Sequence, residues 1–198
     1  TAFLEVGLSA SFIKADKVSQ GLRNSFFTIN IFLGIVTTFL LIISAPIISK
    51  VYGDTQLLSL MITFSITVFI SSLGIQGLAE LNRAKSFSKL MIINILTTLG
   101  TVIISIGFAY QGFGVWTFII AAFSRTTLQT GLVFYFNIDN KYNFAKFSLI
   151  KVYSKEIKFG GQVFFGRILN GIFNSMDKLI LGNSINANSL GQYKNSQQ

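Results

Sequence analysis

Arg167, Asn170, Asn174, Asp177 and Lys178 fall within twelve positions of an otherwise apolar stretch, GRILNGIFNSMDKLILG, residues 166–182. On a helix turning about 100° per residue these five side chains share an arc of roughly 100°. Phe165, Ile168, Leu169, Ile172, Phe173 and Leu179 lie outside that arc. An ionisable group inside a membrane is a functional hypothesis by default, so the polar face reads as a water-filled surface turned toward a substrate. The alternative is a structural role, as an asparagine ladder or an Arg167/Asp177 pair joining helices. Those two residues are ten positions apart, about 15 Å along a helix, and cannot pair with each other directly. Asp177 and Lys178 can also reach the outer interface by snorkelling.

Arg125, in AAFSRTTLQTG, is the sharper case because it lies close to the middle of an apolar run that contains no acidic residue. Its partner must come from another helix, from water or from an anionic ligand. The planar guanidinium fork of Arg125 and Arg167 suits phosphate, and the alternative is a carboxylate elsewhere in the protein. The sequence has no cysteine and no histidine, which removes thiol nucleophiles, imidazole bases, disulfides and the usual zinc sites. No phosphate-cradling glycine loop, carboxylate pair or nucleophile elbow occurs either. No metal, cofactor or catalytic residue is therefore expected.

These side chains must be positioned by membrane-spanning helices. Of 198 residues 51% are hydrophobic and 12% charged, against about 25% charged in soluble domains, and the mean hydropathy is positive. A helix needs about 20 apolar residues to cross a roughly 30 Å hydrocarbon core. Four runs meet that test: Phe26 to Ser49, Leu57 to Leu78, Leu90 to Tyr110 and Phe113 to Phe136. A fifth, Phe159 to Gly182, carries the polar face. Residues 1–13 resemble the tail of an earlier span, and the chain reads as an internal piece of a longer protein.

The net charge of +9 is scattered through the connections, with no basic face for nucleic acid. Eleven basic residues lie in three connections: Lys14, Lys17 and Arg23; Arg83, Lys85 and Lys89; and Lys141, Lys146, Lys151, Lys155 and Lys158. The opposite connections hold only Lys50. The positive-inside rule puts the first group in the cytoplasm, so the first and fifth full spans run outward. Tyr110, Phe113 and Trp116 flank a glycine turn, which predicts a hairpin of the third and fourth spans. Asn94, Thr98, Thr101 and Ser105 form one stripe, read as close helix packing, with cavity lining as the alternative. The serine, threonine and glycine content of the second span reads likewise. In SLIKVYSKEIK, Leu149, Val152, Tyr153 and Ile157 oppose three lysines, which suits a short helix on the inner leaflet or an ordinary solvated connector.

The order of several segments resembles the polysaccharide-biosynthesis, or O-antigen flippase, branch of the multidrug/oligosaccharidyl-lipid/polysaccharide (MOP) exporter superfamily. These are FLEVGLSASFIKADKVS (3–19), APIISKVYGD (45–54), LNRAKSFSKL (81–90), GFGVWTFIIA (112–121) and NSMDKLILGNSINANSLGQY (174–193). Glu5 departs from the aspartate common at its position. The resemblance implies an all-α, MATE-like polytopic transmembrane bundle covering about the second to seventh helices. Residues 1–136 would belong to the N-terminal half, 137–158 to a cytoplasmic loop between halves and 159–198 to the start of the second half.

It also implies a multi-pass protein of the bacterial cytoplasmic (inner) membrane, a transporter rather than an enzyme. Its substrate would be a polyprenyl-diphosphate-linked oligosaccharide, and its partners membrane lipids and other polysaccharide-assembly proteins. Arg125 and Arg167 would receive the diphosphate, Asn170 and Asn174 the sugar hydroxyls, and Asp177 a proton or cation. A cation-coupled exporter of the same superfamily should favour acidic residues over two arginines. A membrane polymerase or ligase should carry a large outer loop, which this sequence lacks.

Overall fold

The computed structural model describes residues 9, 11–13, 18–137, 142–145, 152–153, 158–163, 166 and 169. Four long helices dominate: α1 (Gln20–Tyr52), α2 (Thr55–Arg83), α3 (Phe87–Tyr110) and α4 (Trp116–Phe136). Among the described residues there is no strand, and the architecture is the expected all-α bundle.

Each junction has a local cause. Ser19 starts α1 by accepting the Leu22 N–H at 3.1 Å, which satisfies one of the donors orphaned at a helix start. Pro46 lies inside α1 without ending it. The helix stops at Gly53, whose φ of 66° is a left-handed conformation that glycine adopts without steric cost. Asp54 then caps α2 by accepting the Gln56 N–H at 2.8 Å. So short a turn between two packed helices makes α1 and α2 an antiparallel hairpin. The Thr38 hydroxyl donates to the Ser65 carbonyl at 3.2 Å across that hairpin.

Small residues set the close approaches. A Cβ on Gly34 would overlap the Ser72 hydroxyl, and one on Gly77 would overlap Val133. Thr130 of α4 donates to the Ile70 carbonyl of α2 at 3.2 Å. Helix α2 therefore lies between α1 and α4, packed closely on both, and close helix packing is what its serine, threonine and glycine content suggested. Helices α3 and α4 form the expected hairpin, with Gly112 and Gly114 at φ 79° and 55° in its turn. Helix α3 touches α2 only lightly.

Packing is concentrated at one end, where α1 starts and α2 and α4 finish. In α1 the buried residues are Leu22, Ser25, Phe26, Phe27, Asn30, Ile31 and Gly34, with only Ala45 and Ser49 beyond. In α2 all but Leu60 lie from Ser65 onward, and α4 buries only Thr130 and Val133. The opposite half of α1 exposes Phe39, Leu40, Ile43, Ile47 and Val51, and α3 exposes apolar side chains along most of its length. Such a surface suits lipid.

Among the described residues three helices, α1, α2 and α3, are long and apolar enough to cross a membrane. The sequence suggested four such runs. At 21 residues α4 has the length, but Ser124, Arg125, Thr126, Thr127, Gln129 and Thr130 dilute its apolar character. The α3 stripe also differs from expectation: Asn94 and Thr98 are exposed, and the buried line is Ile93 and Thr97. The Thr101 and Ser105 hydroxyls donate to carbonyls four residues back, each at 2.7 Å. Satisfied by their own helix, these two hydroxyls do not draw a neighbour in.

Tyr153, of the segment read as an inner-leaflet helix or a solvated connector, turns to protein. Its hydroxyl lies 2.7 Å from Ser19 Oγ, and its ring packs on the cluster of Phe12, Leu22, Phe26 and Ala79. Protein, not lipid, takes that side chain because the α1 start offers both an apolar cluster and a hydroxyl partner. Val152 beside it is exposed; Leu149 and Ile157 lie outside the described residues.

Candidate functional site

Arg125 stands near the middle of α4 and its side chain is exposed on the described bundle. No ion pair with a described residue engages it; the described carboxylate in an ion pair is Glu80, which takes Arg23. Arg125 is thus available on a helix face that the described residues do not cover. Arg167, Asn170, Asn174 and Asp177 lie outside the described residues, as does Lys178. Their shared face and its distance from Arg125 are therefore not part of the described geometry.

A different polar group is assembled at the packed end. Glu80 is the sole carboxylate carried by α1 to α4, and it is buried. Arg23 Nε lies 2.8 Å from Glu80 Oε1, although its N–H is not aligned for a hydrogen bond. The Gln76 side-chain amide donates to Oε1 at 3.4 Å, and the Tyr142 hydroxyl donates to Oε2 at 3.2 Å. Three pieces of chain thus converge on one carboxylate: the start of α1, the last turns of α2 and the segment after α4.

The surroundings reinforce that convergence. The Tyr142 ring stacks on Phe27 with centroids 5.0 Å apart and planes at 19°. The Asn143 N–H donates to Asn24 Oδ1 at 3.2 Å, and the Ala145 N–H donates to Thr28 Oγ1 at 2.8 Å. Arg23 Nη1 donates to Gln20 Oε1 at 3.0 Å. Burial, and then the adjacent Glu80 carboxylate, push the Tyr142 phenol well above the usual range. Tyr142 therefore remains a neutral hydrogen-bond donor at physiological pH. Arg83 is engaged separately, donating to the Phe12 and Ile13 carbonyls at 3.0 and 2.9 Å.

Sequence reasoning counted Arg23 only as a topological charge and passed over Glu80. A signal was present: Gln76 and Glu80 are four residues apart, hence on one helix face, and Glu80 directly continues an apolar run. Its partner Arg23 lies 57 positions earlier by number, and only the α1/α2 hairpin brings the two together. A buried charge needs a charged or hydrogen-bonding partner, which was reason to look for one.

Searches of curated proteins and of solved structures return no match. A family model described as "Polysaccharide biosynthesis protein" matches residues 1–198. With that match over its whole length, and with helices fit to cross a membrane, the chain belongs to the polysaccharide biosynthesis protein family.

Proposed function

We propose that this chain belongs to a transporter that flips a polyprenyl-diphosphate-linked oligosaccharide from the cytoplasmic to the outer leaflet for surface polysaccharide assembly. The observation that carries the reading is Arg125, a cation near mid-helix, exposed and unpaired among the described residues, in a polysaccharide biosynthesis family. A diphosphate in hydrocarbon faces a large desolvation cost, and a wet cationic cavity lowers it. Arg125 and Arg167 would receive the diphosphate, and Asn170 and Asn174 the sugar. Asp177 would take the coupling proton or cation, and alternating access would move the cargo.

The packed end is the cytoplasmic one in this reading. Arg23, Arg83, Lys85 and Lys89 lie in or beside the helix ends there, and Lys50 lies at the other, as the positive-inside rule requires. The membrane is then the bacterial cytoplasmic membrane.

The test is translocation by the full-length protein in vesicles carrying a fluorescent polyprenyl-diphosphate oligosaccharide, read by quencher access to each leaflet. Arg125→Ala and Arg167→Ala should each slow flipping by about tenfold, the scale of one lost charge-assisted hydrogen bond, with insertion intact. Unchanged flipping with both arginines removed would overturn the cavity assignment.

A further inference from the structure

The group around Glu80 joins segments distant in sequence at the one end where the helices are tightly packed. Arg23 approaches from α1, and Tyr142 from beyond α4. Residues 142–145 also cross the start of α1 through the Asn24, Phe27 and Thr28 contacts, so they form a strap tied to both α1 and α2. The opposite half of α1 has no such tie among the described residues and is largely exposed.

The tie is incompletely satisfied. Arg23 Nε is buried without an aligned acceptor, and Gln76 Oε1 is buried without a donor, although Gln76 is only 1% exposed. Buried polar groups are normally paired, and exceptions call for an explanation. A fully satisfied network would fix the strap rigidly; this one leaves the arginine open to exchange. Arg23 also keeps 24% of its side chain exposed while Glu80 keeps 6%, so an incoming anion meets the arginine first. A phosphate can offer the guanidinium two oxygens in the plane of its fork, whereas Glu80 approaches it at Nε, 2.8 Å from Oε1.

We propose that Arg23 and Glu80 form a diphosphate-responsive latch: Glu80 holds Arg23 and Tyr142 to close this end, and a diphosphate-bearing headgroup takes Arg23 away and frees the strap. The idea rests on the flippase reading for the identity of its cargo. Arg23 is then a first contact for phosphate, separate from Arg125. Glu80 is a positioning residue that competes with the ligand.

The experiment uses the full-length protein in phosphatidylcholine vesicles, with spin labels at Asn82→Cys and Asn143→Cys in a background otherwise free of cysteine. Asn82 is exposed on α2, and Asn143 joins the strap through its backbone N–H, so both side chains can be replaced. Pulsed electron spin resonance reads the distance between them as inorganic pyrophosphate is added at constant ionic strength. The expected result is one narrow distance without pyrophosphate and a longer, broader distribution with it.

Glu80→Gln keeps an acceptor for Tyr142 but removes the competing charge. It should lower the half-maximal pyrophosphate concentration by about tenfold, an ordinary size for coupling at a shared residue. Arg23→Gln should abolish the response. A wild-type distance unmoved by pyrophosphate, an unshifted midpoint in Glu80→Gln, or a full response in Arg23→Gln would each overturn the latch. Opening by vesicles containing phosphatidylglycerol, with pyrophosphate inert, would overturn it in favour of a membrane lipid. Neither a sugar nor translocation enters this readout. Loss of flipping with the distance response intact would therefore count against the transport reading alone, and the converse against the latch alone.

Discussion

The two ends of α1 belong to one helix, yet they live in different surroundings. Around Phe26 and Asn30 the helix is buried against α2, the Phe12 cluster and the strap; around Phe39 and Ile43 it is open. Phenylalanine does not distinguish the halves, because lipid and a protein core both accept it. Partners do. Inside a bilayer, helices associate through close packing and polar contacts rather than apolar transfer, and the packed half is the one supplied with Gly34, Ser72, Arg23 and Glu80.

The sharpest way to break the comparison is to make the same change at each end. Phe26 is fully buried and meets Phe12 edge-on with centroids 5.6 Å apart, while Phe39 is 61% exposed. Phe26→Ala should cost about 3 kcal/mol, the lower part of the range for emptying a phenylalanine site. Phe39→Ala should stay within about 0.5 kcal/mol. Unfolding of the full-length protein in mixed micelles measures both, and equal losses would mean that the two halves are packed alike.

Glu80→Ala follows in size. Breaking a buried ion pair costs about 3 to 5 kcal/mol, but Arg23 keeps a quarter of its side chain in solvent and can rehydrate. A loss of about 2 kcal/mol is therefore expected once solvent screening is discounted. The same micelle titration reads it, and a variant as stable as the wild type would show that the carboxylate does not tie this end together.

How much of this was legible depends on whether the signal is local. The helices were, because long apolar runs are bounded by residues with fixed local roles: Ser19, Gly53 and Asp54 cap or turn on contacts within five positions. Their extents were less so. The apolar run Leu57 to Leu78 ends before the α2 backbone does, since hydrogen bonding continues to Arg83 after hydropathy has fallen. That overrun carries Glu80 into the bundle. The buried pair was illegible for a different reason: Arg23 and Glu80 meet only after α1 has folded back on α2, and nothing near Arg23 in sequence announces a carboxylate. Arg125 could be read as unusual from its own helix alone. The α3 stripe was misjudged by about one helix position, because hydroxyls that bond to their own backbone mark no packing face.

The smallest test separates space from backbone as the reason for a glycine. Gly34 lies on the packed side of α1, where an added Cβ would collide with both Oγ and Cβ of Ser72. The serine cannot swing clear, because its hydroxyl is also tied to the Phe69 carbonyl at 2.7 Å. Gly34→Val must therefore push α1 from α2, an overpacking cost of about 2 kcal/mol. At the far end Gly53 meets nothing within 4 Å, but its φ of 66° is left-handed. Gly53→Val thus pays in backbone strain alone, about 1 kcal/mol. The two glycines should also differ in what rescues them. Ser72→Gly, by removing the colliding side chain, should restore much of the stability lost in Gly34→Val and none of that lost in Gly53→Val. A double-mutant cycle reads that coupling. No coupling between positions 34 and 72 would mean that α1 and α2 do not touch through this glycine, and that another contact sets the approach of the packed end.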